Sequence, residues 1–203
     1  MSRTLTILMA SLAFIVALAS YRFLLLGWGP AFSEVVAIHA AGPVTLAVHI
    51  LSAPVALATG ALQFFPRLRA RRPRLHRWTG RVYLAAIAIG GTSALLLALS
   101  PTGRPGASLG FGLLALAWMG SSALAFRHIL RREIAAHRRW MIRSYALTLA
   151  AVSLRLQLPI LFIGFGFESY GAASVIVAWS CWLPNIAIAE WLIHRRPAPV
   201  LAV

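Results

Sequence analysis

Six apolar runs dominate this sequence: Leu5–Leu26, Val44–Phe65, Trp78–Ser100, Leu109–Leu130, Trp140–Gly164 and Tyr170–Ile193. Each is close to or above the roughly 20 residues that a helix needs to cross a bilayer. The chain is 60% hydrophobic and only 11% charged, with a mean hydropathy of +0.81. A soluble domain of this size could not bury that much apolar surface. The alternation of a membrane β-barrel strand is missing, so the runs are expected to be helices. The expected fold is an all-α integral membrane protein with six transmembrane helices, forming one membrane domain over residues 1–203. The segment Val35–Ala41 is also apolar and extends that character upstream of the second run.

The first run has features of a secretory signal. Arg3 precedes it, and Ala17-Leu18-Ala19 before Ser20 has the small-x-small form of a cleavage site. Its apolar character continues through Leu26, however, beyond a usual signal core, and a retained span is expected. Turn-forming residues separate the runs: Gly27-Trp28-Gly29-Pro30, Pro101 to Gly106, and Gly164-Phe165-Gly166.

All 19 basic residues are arginine and all four acids are glutamate, giving a net charge of +15. The arginines gather in short segments between apolar runs, which suits anionic lipid headgroups better than a nucleic-acid-binding face. Arg67, Arg69, Arg71, Arg72, Arg74 and Arg77 lie between the second and third runs. Arg127, Arg131, Arg132, Arg138, Arg139 and Arg143 lie at the fourth-to-fifth junction, and Arg3, Arg195 and Arg196 near the termini. Only Arg22 and Arg104 fall on the other side. The positive-inside rule then predicts that both termini and both arginine clusters face the cytoplasm, across a cytoplasmic membrane. The single Cys181 permits no intramolecular disulfide and is expected to pack in the bundle.

A basic cassette occurs twice, as Leu75-His76-Arg77-Trp78-Thr79-Gly80-Arg81-Val82-Tyr83 and as His137-Arg138-Arg139-Trp140-Met141-Ile142-Arg143-Ser144-Tyr145. An offset of 62 aligns the two, with nine identities over the 23 positions from Ala61 to Tyr83. We read this as a duplicated helical hairpin with halves at about residues 44–100 and 106–164. Both copies run in the same direction, so their axis should lie along the membrane normal. The expected core is a four-helix bundle with spans two and four diagonal, spans three and five diagonal, and spans one and six flanking it. His49, Ala53, Ala56, Gly60 and Gln63 share one face of span two, and Ser144, Thr148, Ala151 and Arg155 one face of span five. Such faces serve close helix contact or a groove for a flat cofactor.

Two sets of residues are candidates for chemistry. His76 and His137 stand at the starts of diagonal helices, where imidazoles can hold an iron from both sides; the alternative is an interfacial belt of lipid phosphates. Arg81 and Arg143 would offset haem propionates. His49 is the one histidine well inside a span, about 8 Å from its outer end, and Arg155 lies about 22 Å along span five, at a similar depth. An intramembrane arginine marks a functional site by default, here for a propionate, a quinone oxygen or an anionic substrate; snorkelling or bonding to helix carbonyls is the alternative. Gln157 or Tyr170 is expected at the mouth of such a pocket. Glu190 is expected to neutralise Arg81 or Arg143, or else to move protons. His39, His128 and His194 should be solvated or interfacial, and Glu34 and Glu168 should lie on the outer side. The repeat partner of His49 is Phe111, so no second histidine faces it from span four.

No nucleotide-binding loop, H-E-x-x-H or paired-Cys motif is present, and the scarcity of acids argues against two-metal or two-carboxylate hydrolysis. The segments His49–Phe64, Arg67–Tyr83 and His137–Thr148, with Leu154-Arg155-Leu156 and Trp182 through Asn185 to Glu190, resemble a bacterial multi-pass membrane family whose domain has no assigned activity. That likeness covers roughly residues 44 to 193. More distantly, the chain resembles the six-span b-type cytochromes that act as ascorbate-dependent or ferric reductases. That resemblance implies a haem b between His76 and His137, with His49 as a span-two ligand that lacks its span-four counterpart. Three functions compete: electron transfer through haem b, with quinone or a metal as acceptor and a redox partner; binding of anionic lipid or a partner complex through the arginine cassettes; and small-molecule carriage at His49 and Arg155.

Overall fold

A computed structural model describes residues 3–27, 42–100, 104–166 and 168–195. Among them, six helical segments are long and apolar enough to cross a membrane: Arg3–Leu26, Pro43–Leu62, Pro73–Leu99, Pro105–Leu130, Ile134–Gly164 and Gly171–His194. The turn residues 28–30 and 101–103, Glu34, the segment Val35–Ala41 with His39, and Arg196 lie outside the described residues.

Proline starts several of these helices. Pro43, Pro73 and Pro105 each stand in the first turn of a span, where the missing N–H has no helical partner to lose. Pro66 opens a short helix, Pro66–Arg71, that carries Arg67, Arg69 and Arg71. The third and fifth spans therefore begin earlier than hydropathy suggests, at Pro73 and Ile134 rather than Trp78 and Trp140. The basic cassettes are helical, not loops, because arginine is a good helix former that merely lowers hydropathy. The turn into the fifth span is only three residues long, and Arg132 takes a left-handed conformation there with φ 60°.

The fifth and sixth spans are interrupted. The fifth runs as Ile134–Thr148 and Ala150–Pro159, then a π-helical turn over Ile160–Gly164. Pro159 supplies no amide hydrogen, which favours irregular bonding beyond it. The sixth divides into Tyr170–Ser180 and Leu183–His194, and Pro184 opens its second half.

Spans two to five form a ring in which two packs on three, three on four, four on five, and five back on two. Span two is thus diagonal to four, and three to five. Span one lies against span two and the second half of span five, Ala150–Pro159; span six lies against four and five. Lipid tails are as apolar as these side chains, so close packing and polar contacts hold such a bundle together. The exterior matches that solvent: Leu18, Leu25, Leu99 and Ile163 are all exposed.

The centre is built around Tyr83 and Tyr145, the last residues of the two cassettes, both fully buried with ring centroids 6.4 Å apart. Gly60 of span two admits them. A Cβ placed there would stand 2.6 Å from both rings, closer than any real packing allows. Phe64 completes the cluster, its ring centroid 5.0 Å from that of Tyr145.

Candidate functional site

The half of the bundle away from the arginine cassettes holds a cavity of about 460 Å³. Spans one to six all contribute to its wall, and His49 and Arg155 both line it. Each is held by backbone. The Nδ1–H of His49 donates to the Gly90 carbonyl at 3.0 Å, which places the lone pair of the neutral ring on Nε2. Arg155 donates from Nη1 to the Ala151 carbonyl and from Nη2 to Ser20 Oγ, both at 2.9 Å. The second bond reaches span one and fixes the guanidinium at the level of Ser20.

Two further arginines line the same cavity, Arg22 at the end of span one and Arg104 at the start of span four. Arg22 Nη1 donates to the Ala19 carbonyl at 3.3 Å, and Arg104 Nε donates to the Gly171 carbonyl at 3.2 Å. Ser108 and Ser174 add hydroxyls to this end. Much of the remaining wall is apolar, with Leu46, Ile50, Leu97, Phe111 and Leu154. No carboxylate appears among its described lining residues.

Trp118 and Thr148 form the floor. Trp118 Nε1 donates to Thr148 Oγ1 at 2.8 Å, and Thr148 donates to the Ser144 carbonyl at 2.9 Å. Below them the Tyr83 hydroxyl bonds with Thr148 Oγ1 at 3.0 Å and Ser144 Oγ at 2.6 Å, while Ser122 bonds with Ser144 at 2.7 Å. This buried network joins spans three, four and five, and it uses its hydrogen-bonding capacity internally.

His76 and His137 stand at the opposite end, each half-buried. His137 donates from Nδ1 to the Ala125 carbonyl at 2.8 Å, so its neutral ring carries the lone pair on Nε2. His76 Nδ1 is buried and has no hydrogen-bond partner among the described residues. Arg81 is exposed. Arg143 is engaged by Glu190 and also covers the Trp140 ring at 4.6 Å. The described residues contain no group of three or more metal-ligating side chains. His128 bonds with Glu133 in the turn between spans four and five, and that bond holds the exposed Glu133 carboxyl below its ordinary range.

Residues 46–193 match the model of a family described as predicted membrane protein (DUF2306). The chain belongs to this family. No curated protein and no solved structure matches it. The DUF2306 segment spans helices two to six and includes His49, His76, His137 and Arg155. It leaves out Ser20 and Arg22, so the span-one side of the cavity lies beyond the matched part.

The structure therefore brings His49 and Arg155 to one cavity and puts His76 and His137 elsewhere. Gln157 does not border the cavity; it exchanges hydrogen bonds with Ser180 on span six, at 2.7 and 3.1 Å. The Tyr170 side chain lies outside the described residues. Arg22, Arg104 and Trp118 were not singled out as site residues from sequence. The signal for the two arginines was their isolation, as the basic residues set apart from the cassettes.

Proposed function

We propose that this membrane protein binds a small molecule inside its bundle through an electron-rich oxygen head group, as a carrier or binding protein. The observation behind this is the convergence of Arg22, Arg104, Arg155 and His49 on one cavity with apolar walls. Guanidinium groups suit a carboxylate, a phosphate or a quinone oxygen, since each offers several N–H donors in a fixed plane. An arginine within a membrane is costly unless it has such work or a buried partner. With the cassettes on the cytoplasmic side, the cavity belongs to the outer leaflet. The exposed cassette arginines would then rest on anionic headgroups. Organic extracts of purified wild type and Arg155→Leu protein, analysed by mass spectrometry, test the assignment. A bound oxygen-headed molecule in wild type that is lost in the variant is expected. Equal retention in both would refute it.

Electron transfer through a haem b is a second reading, favoured by the state of two imidazoles. His137 has its Nε2 lone pair oriented by the Ala125 bond, and His76 Nδ1 is buried without a described partner. His76 and His137 would hold the iron, and a bis-imidazole haem would supply one-electron transfer. Arg143 is already committed to Glu190, so it would not be a propionate partner. A dithionite-reduced minus oxidised spectrum of haem-replete wild type, His76→Ala and His137→Ala decides this. Haem absorbance lost in both variants is expected, and its absence from wild type would end the idea.

A further inference from the structure

Arg81 and Arg143 hold the same position in the two cassettes, and the bundle treats them differently. Arg143 is held by Glu190 of span six. Arg81 is exposed and makes no hydrogen bond or ion pair among the described residues. The reason is rotation around span three. At about 100° per residue, Arg81 lies roughly 160° around the helix from Tyr83, whose side chain is buried at the centre of the bundle. Arg74, Trp78, Ala85, Ala88 and Thr92 fall within about 40° of the side opposite Tyr83, and all are exposed. Spans two and four pack against the inner sides of this helix, so the exposed stripe faces lipid.

The depth of the stripe follows from helix length. Pro73–Leu99 has 27 residues and is about 40 Å long, roughly 10 Å more than a hydrocarbon core. Leu99 at the far end is apolar and 73% exposed, so the excess falls at the Pro73 end. Trp78, 64% exposed, then lies in the interface, where an indole finds both apolar and polar surroundings. Arg81, one turn farther in, stands at the border of headgroups and hydrocarbon. An arginine at that border without a protein countercharge draws one from the membrane. The described carboxylates at this end of the bundle are already engaged, Glu133 by His128 and Glu190 by Arg143.

We infer that the first cassette is a site for one anionic phospholipid, of the phosphatidylglycerol type. Its phosphate rests on Arg81, flanked by Trp78 and Arg74, and its acyl chains lie along Ala85, Ala88 and Thr92. This makes specific the headgroup contact proposed above and does not depend on the ligand of the cavity. A planar guanidinium matches two phosphate oxygens, as the Arg143 guanidinium matches the two carboxylate oxygens of Glu190. A zwitterionic lipid would bring an ammonium into the field of Arg74, Arg77 and Arg81, whereas phosphatidylglycerol brings only negative charge. Ala85 and Ala88 project little from the helix and leave room for a chain beside it. The second cassette offers no such site at Arg143, because Glu190 takes the place of the phosphate.

Native mass spectrometry of the full-length protein, titrated with dioleoyl phosphatidylglycerol or dioleoyl phosphatidylcholine, tests this. The first phosphatidylglycerol should bind about tenfold more tightly than the first phosphatidylcholine. Arg81→Gln should weaken phosphatidylglycerol by about tenfold and leave phosphatidylcholine unchanged. Arg138→Gln, which removes an exposed arginine of the second cassette, should change either lipid by less than about twofold. A phosphatidylglycerol with a diazirine near the glycerol end of one chain should cross-link to wild type within residues 81–92. Equal binding of the two lipids would overturn the anionic assignment. Wild-type affinity in Arg81→Gln, or an equal loss in Arg138→Gln, would overturn the site and leave only general attraction of headgroups to the arginines. Cross-links confined to other spans would overturn it without recourse to any variant.

Discussion

Arg143 of span five grips Glu190 of span six with two parallel bonds, Nε to Oε1 at 2.6 Å and Nη2 to Oε2 at 2.8 Å. This pairing ties the flanking sixth helix to the four-helix ring. The Arg143 side chain is 19% exposed and that of Glu190 38%, so the pair is neither fully buried nor freely solvated. The Trp140 ring at 4.6 Å further orients the guanidinium.

Glu190→Gln leaves Arg143 half-buried without its countercharge. We expect a loss of about 1–2 kcal/mol, between the values for exposed and buried pairs. Arg143→Lys should recover little, because an ammonium cannot make the two-pronged contact. Apparent unfolding midpoints in detergent check this. The double variant Arg143→Leu/Glu190→Leu should lose less than the sum of its two single variants. Strict additivity would show that the pair contributes nothing as a pair.

Gly60 and Gly120 give a matched comparison. A methyl at Gly60 meets the rings of Tyr83 and Tyr145 at 2.6 Å, whereas one at Gly120 meets nothing within 4 Å. Both rings are fully buried and cannot swing aside without disturbing the diagonal contact. Gly60→Ala should therefore destabilise by about 1–3 kcal/mol. Gly120→Ala should be neutral or stabilise by up to about 1 kcal/mol, from helix propensity. Equal midpoints for the two variants would contradict the packing described here.

The six spans were legible because a bilayer demands about 20 apolar residues in a row, which hydropathy reports directly. Helix starts were not, since arginines lower hydropathy without leaving the helix; Pro73 was the better marker for span three. Counting 1.5 Å per residue predicted a similar depth for His49 and Arg155, and the two residues do line one cavity. Arg22 and Arg104 escaped because each stands at a helix end, and only the arrangement of spans shows that the two ends border one cavity. The Tyr83 network was equally hidden. Ser122, Ser144 and Thr148 look like ordinary small residues of helix contact, and their hydroxyls meet only when three helices are assembled.

That network supports the last prediction. Thr148 gives its proton to the Ser144 carbonyl, so at the 3.0 Å contact Tyr83 must be the donor. Tyr83→Phe removes this donor and also the 2.6 Å bond with Ser144. Ser144 keeps Ser122 at 2.7 Å, and Thr148 keeps Trp118 at 2.8 Å, so neither hydroxyl is stranded. The expected loss is about 1–2 kcal/mol, below that for leaving a buried group wholly unpaired. Thr148→Val should be worse, because it strands the Trp118 indole N–H, while the Tyr83 hydroxyl keeps only Ser144 as a partner. Adding Tyr83→Phe to Thr148→Val should then cost less than it does in wild type, since one of its two partners is already gone. Apparent midpoints of the three variants measure this. A Tyr83→Phe effect of the same size in both backgrounds would show that the two residues are not energetically coupled.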